Sequence, residues 1–171
     1  MFGFTPKETL KKLHDLPQSS VGAPCPLVFS NEHDVYVTYY LDKIEDGWDG
    51  KTVRVVSPAS DREPSIVVCF RRAIAHYFGR PNDEAISGHP LYGIGLQPYS
   101  YFEVLNSTWL DELEHMNRVH PYHKKERYAD IRHFIFTFHD TTLEVLAKNY
   151  HAEIINLPLI ENMERILRPK K

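Results

Sequence analysis

The sequence predicts an α+β fold: a mostly antiparallel sheet of five or six strands with two or three helices. Three observations lead there. Short runs rich in tyrosine, phenylalanine and valine recur, each bounded by turn residues, which is the pattern of strands. Apolar residues take helical spacing in only three places. The 171-residue chain is 42% hydrophobic and 25% charged, an ordinary globular composition long enough to bury a core without staples. The natural reading is one domain over 1–171, with 1–26 as an N-terminal helix and linker and 27–171 as the α+β core.

Thr5 can cap the first helix, Pro6 suits its first position and Glu8 completes a capping box. Leu10, Leu13 and Leu16 give it a narrow apolar stripe, and the Pro- and Ser-rich stretch 17–26 then reads as a linker. Strands are expected over 34–42, 51–57 and 65–70, as a meander turned by Gly47-Trp48-Asp49-Gly50. Ala73 to Phe78 reads as a helical turn or a continued strand. The segment 80–98 is rich in turn signals, and a loop this long inside a compact domain points to function.

A strand over 101–105 precedes a helix over 108–118. Ser107 or Thr108 caps that helix, and Trp109, Leu110, Leu113 and Met116 are placed on its buried face. The strands 132–138 and 142–149 form a hairpin. With Asp140 and Thr141 as its turn, Phe138 faces Leu143, Phe136 faces Val145 and Phe134 faces Ala147, giving one apolar face. His133, Thr137, His139 and Glu144 then fall on the opposite face, either solvated or lining a half-buried pocket. A closing helix over 158–167 presents Leu159, Ile160, Met163, Ile166 and Leu167.

Net charge is −3, and the one interior basic cluster, Lys124, Lys125 and Arg127, is broken by Glu126. Nucleic-acid binders need a basic face, so no nucleic acid is expected as a partner. No stretch approaches the ~18 apolar residues of a membrane helix, so no membrane partner is expected. The N-terminus has no signal-peptide pattern, and Cys25 and Cys69 are the sole cysteines. The expectation is a cytoplasmic protein with reduced thiols, Cys69 being a small buried hydrophobe.

Eight of the ten histidines lie between His76 and His151, five of them from His115 to His139. Histidine changes charge near neutrality and is the commonest metal ligand, so chemistry is expected there. His120 and His123 are spaced to share a metal, with His89, His133 or His139 as a third ligand. A polar loop explains the same pair. His139 with Asp140 reads as turn chemistry or as a base oriented by a carboxylate. Glu103, mid-strand, is either an exposed edge residue or a buried carboxylate needing a histidine or arginine partner. No serine-nucleophile elbow, phosphate loop or metal signature is complete, so no catalytic residue, metal or cofactor is assigned.

Within 78–147, Gly88-His89-Pro90-Leu91-Tyr92, Phe102-Glu103-Val104 with Asn106-Ser107 and Trp109, Met116-Asn117 with Val119-His120-Pro121, and His133-Phe134 with Phe136-Thr137-Phe138-His139-Asp140 resemble a bacterial protein family of about this length whose function is uncharacterised. The resemblance covers under half of the chain and leaves out 1–25 and the final helix. It implies no activity or cofactor. It draws attention to His89, Glu103, His120, His139 and Asp140.

The functional expectation is a binding module without catalysis that takes a small molecule or a protein partner in a His/Tyr-lined pocket. Its candidate ligand-binding residues are His89, Tyr92, Tyr101, Glu103, His120, His123, His133, His139 and Asp140, with Tyr99 also in the wall. The alternatives are a metal-assisted hydrolase with Glu103 as general base, and an interaction or immunity-type protein. Oligomeric state is not specified by these residues.

Overall fold

Two antiparallel sheets face each other across the main core in the computed structural model, which describes residues 7–43 and 55–168. The strands are β1 (Thr9–Lys12), β2 (Leu27–Ser30), β3 (Asp34–Tyr40), β4 (Ser65–Arg71), β5 (Ala75–Gly79), β6 (Tyr101–Leu105), β7 (Arg132–Thr137), β8 (Thr142–Ala147) and β9 (Asn149–Ile155). One sheet runs β1-β6-β7-β8-β5 and the other β2-β3-β4-β9. The helices are α1 (Thr108–Asn117) and α2 (Leu159–Leu167). The α+β class therefore holds, with the strands divided between two sheets.

Alternation along the strands builds the core. Val35, Val37 and Tyr39 of β3 and Ile66, Val68 and Phe70 of β4 pack against Phe134 and Phe136 of β7 and Leu143, Val145 and Ala147 of β8. The Phe70 and Phe136 rings meet edge-on at 5.3 Å, a favoured aromatic geometry. The chain passes between the sheets at three places: over 13–26 from β1 to β2, over 72–74 from β4 to β5, where Arg72 takes the left-handed region at φ 53°, and at Lys148 from β8 to β9.

The sequence reading differs from the structure at several elements. The expected N-terminal helix is replaced over 9–12 by β1, which pairs with β6 so that Leu10 opposes Val104 and Lys11 opposes Glu103. Its leucines divide between two clusters: Leu10 packs on an outer one with Val104, while Leu13 and Leu16 enter the core between the sheets. Thr5 and Pro6, the Gly47–Gly50 turn and 51–54 lie outside the described residues, and 55–57 form no strand. The strand expected over 142–149 ends at Ala147, and β9 was not foreseen. On α1, Met116 is 61% exposed and the buried residue is Glu114.

The hairpin keeps its predicted faces at a shifted register. Phe136 opposes Leu143 and Phe134 opposes Val145, and Phe138 N–H closes the turn on Thr141 O at 2.8 Å. The four-residue turn moves the pairing by two residues, which leaves every side chain on its original face.

On the outer face of the five-stranded sheet, the segment 83–96 acts as a strap. Its short turns Asp83–Gly88 and Tyr92–Ile94 bring Ile86, Leu91 and Leu96 down onto Phe102, Val104 and Ile135. The long loop is thus a packed layer. On the far face of the other sheet, α2 buries Leu159 and joins Asn162 Nδ2 to Thr38 Oγ1 (3.2 Å) and Ser65 Oγ (3.0 Å). Among the described residues no helix is long and apolar enough to cross a membrane.

Candidate functional site

Where the strap meets α1, the outer face of β7 and β8 is left partly open. A cavity of ≈ 450 Å³ forms there, with walls that include His89, Leu91, Thr108 and Trp109, and with His133 and Glu144 among its lining residues. That volume suits a small organic ligand. The positions follow from the sheet. His133 on β7 and Glu144 on β8 lie diagonally on one face of the ladder, because His133 opposes Leu146 and Glu144 opposes Ile135. Tyr77 of β5 opposes Glu144 from the other side.

Two histidines converge on one carboxylate. His133 Nε2 lies 3.0 Å from Glu144 Oε2, and His89 Nε2 lies 3.4 Å from Glu144 Oε1. The far nitrogen of each ring is also engaged. Leu91 N–H donates to His89 Nδ1 at 3.2 Å. Ser107 Oγ accepts Leu110 N–H at 3.2 Å as the cap of α1 and lies 2.9 Å from His133 Nδ1. The ionised Glu144 carboxylate only accepts, so both rings donate to it from Nε2–H, and Leu91 N–H keeps His89 Nδ1 an acceptor. Ser107 Oγ, which holds one bond from the helix and still has a lone pair and a proton to offer, partners His133 Nδ1. Burial works to raise the Glu144 carboxyl, but the hydrogen bonds from His133 and His89 outweigh it and hold the group down at about 2.

Trp109 meets the His133 ring edge-on at 5.2 Å and so fixes its plane. Glu8 accepts Thr108 N–H (2.7 Å) and Thr108 Oγ1–H (2.9 Å), placing a second carboxylate at the start of α1, where the helix dipole favours it. Ser107, His133 and Glu144 stand in the order of a nucleophile, base and acid. However, Ser107 is buried and its oxygen serves as the helix cap. We read it as the post that orients His133.

The remaining sequence candidates are placed elsewhere. Tyr101 is 3% exposed in the core between the sheets, its ring 4.6 Å from that of Phe136. That removes it from the pocket wall, because its strand face points toward the other sheet. Tyr92 is exposed and lies outside the cavity lining. Glu103 is buried and has an arginine partner: Arg132 grips it with Nε at 2.7 Å and Nη2 at 2.6 Å. The hydrogen bonds from Arg132 hold its carboxyl below the usual range against the effect of burial.

His120 and His123 do not act together. His120 Nδ1 accepts Tyr122 N–H at 3.1 Å within an exposed turn. His123 Nε2 sits 2.8 Å from Glu114 Oε1, an ion-pair approach without hydrogen-bond alignment. Among the described residues, no three of His, Cys, Asp and Glu converge in a metal-binding arrangement.

His139 has a carboxylate partner, but it is Asp83 rather than the exposed Asp140. His139 Nδ1 lies 2.9 Å from Asp83 Oδ2, the Tyr99 hydroxyl donates to the same oxygen, and Asp83 N–H returns to His139 O at 3.0 Å. This trio ties the start of the strap to the hairpin turn. Burial and the neighbouring Asp83 carboxylate push the Tyr99 phenol up to about 12.

Sequence reasoning placed His89 and His133 among the candidates and put Glu144 on the same face as His133. It did not assign Glu144, Trp109, Tyr77 or Glu8 to a site. The available signal was a lone glutamate facing a histidine across a hairpin, and it becomes specific only when the strap delivers His89. No protein-family model matches the chain, and searches of curated proteins and of solved structures find no significant match. The motif resemblance therefore adds no activity, and the site rests on its own geometry.

Proposed function

We propose that this protein is a non-catalytic binding module that takes a small molecule in the cavity lined by His89, His133 and Glu144. One observation carries the reading. A carboxylate fixed by two oriented imidazoles, each anchored in turn by a backbone N–H or a helix cap, lines a pocket of ligand size. A few polar groups converging within a partly apolar wall are the usual make-up of such a site. Net charge −3 favours a partner other than nucleic acid, and cytoplasmic residence remains part of the proposal.

The two alternatives have less support. A metal-assisted hydrolase built on His120 and His123 would need a third ligand, and His123 is already held at Glu114. A protein-interaction role would use a surface patch and would not require a walled cavity.

Native mass spectrometry of untagged protein, paired with elemental analysis, tests the reading. The expected result is a co-purified small mass that is lost in Trp109→Ala and in Glu144→Gln. About one metal ion per chain, lost in His120→Ala, would replace this reading with the hydrolase. Retention of a macromolecular partner by both cavity variants would replace it with the interaction role.

A further inference from the structure

Resting on that reading, we propose that the ligand is an organic cation whose ammonium-type group binds against Glu144, beside Trp109 and Tyr77. The charge balance of the cavity is the first argument. Its lining includes two carboxylates, Glu8 and Glu144, and among the described residues no lysine or arginine. A cavity of ≈ 420 Å³ on another part of the surface, lined by Glu32, Arg72 and Arg127 among others, has the opposite balance. An anion entering the Glu144 cavity would meet like charge without a compensating cation.

The hydrogen-bond directions are the second argument. Leu91 N–H fixes the acceptor side of His89, so that ring reaches Glu144 with Nε2–H and needs no second proton to do so, while Ser107 and Glu144 hold the His133 ring between them. The two rings orient the carboxylate and leave its negative charge in place. The third argument is access. The Glu144 side chain is 18% exposed, against 8% for His89 and 2% for His133, so Glu144 is the most open member of the network. Trp109 and Tyr77 in the same lining add the aromatic surfaces that attract alkylammonium groups.

The test uses three probes of one shape on the full chain: choline, its uncharged isostere 3,3-dimethylbutan-1-ol, and the anion 3,3-dimethylbutanoate. Binding is followed by the NMR signals of the Trp109 indole and of the His89 and His133 rings. Choline is expected to move all three and to bind about tenfold more tightly than the alcohol, with Glu144→Gln removing most of that difference. The comparison between probes on the unaltered protein stands even if the variant folds poorly. Equal binding of the alcohol or the anion at the same residues would overturn the cation assignment and leave the pocket reading intact. Silence from all three probes would also overturn it, and the pocket reading would then be judged separately by the co-purified mass.

Discussion

His133 and Glu144 are diagonal neighbours on the outer face of the β7–β8 ladder, joined Nε2 to Oε2 at 3.0 Å. Their contact is the meeting point of three elements. Ser107 at the cap of α1 holds His133 from behind, and His89 on the strap reaches the other oxygen of Glu144. Strap, helix and sheet thus agree on the position of one carboxylate.

Glu144 should make stability depend on acid. Its folded value of about 2 lies below the ordinary 4.5, so its contribution is present above pH 4.5 and is lost as pH falls through 2. A lowering of this size corresponds to stabilisation on the order of 3 kcal/mol. Urea unfolding of the wild type and Glu144→Gln across this range should show a stability gap that closes toward pH 2. A gap of constant size would contradict the account.

The Glu103–Arg132 pair should respond asymmetrically. The Glu103 side chain is buried while that of Arg132 is partly open to solvent. Arg132→Met leaves the buried carboxylate with only the more distant Lys11 at 3.9 Å and should cost about 2 kcal/mol, whereas Glu103→Gln should cost about 1 kcal/mol. Neither should alter binding at the Glu144 cavity. Chemical denaturation of both variants, with choline binding as the control, checks the order.

Ser107→Ala should remove a helix cap and a histidine anchor together. Loss of the cap costs about 1 kcal/mol, and His133 Nδ1 loses its hydrogen-bond partner. The variant should still fold, with the His133 ring signals broadened or shifted in NMR spectra. An unchanged His133 environment would show that Trp109 alone fixes the ring.

His139 should titrate above its ordinary value of 6.5, because Asp83 hydrogen-bonds to the imidazolium. A raised folded value means that the charged part of the tie between strap and hairpin stabilises the fold at low pH and is lost as pH rises through that value, while the bond from Asp83 N–H to His139 O persists. In an NMR titration, Asp83→Asn should bring the His139 midpoint back toward 6.5. An unmoved midpoint would contradict the assignment of Asp83 as partner.

How much of this was legible in the sequence depended on whether a signal was local. The faces of the β7–β8 hairpin were readable because alternation of apolar residues survives a two-residue shift of register. The α1 cap at Ser107 was readable from residue type. The N-terminal strand was not, since leucines at 10, 13 and 16 fit a helix and only pairing with β6 sends Leu10 to the outer cluster and Leu13 and Leu16 to the core. The partition into two sheets was hidden for the same reason, because β9 follows β8 after one residue with no turn signal between them. Glu103 illustrates the site: its need for an arginine was inferable, but Arg132 as its partner was set by the β6–β7 pairing.

NMR mapping of a small-molecule fragment library on the isotope-labelled protein tests the central claim most directly. The account predicts that hits converge on the signals of His89, Trp109 and His133, and that Glu144→Gln reduces both their number and their strength. Hits concentrated at other cavities, or equally strong in Glu144→Gln, would contradict it.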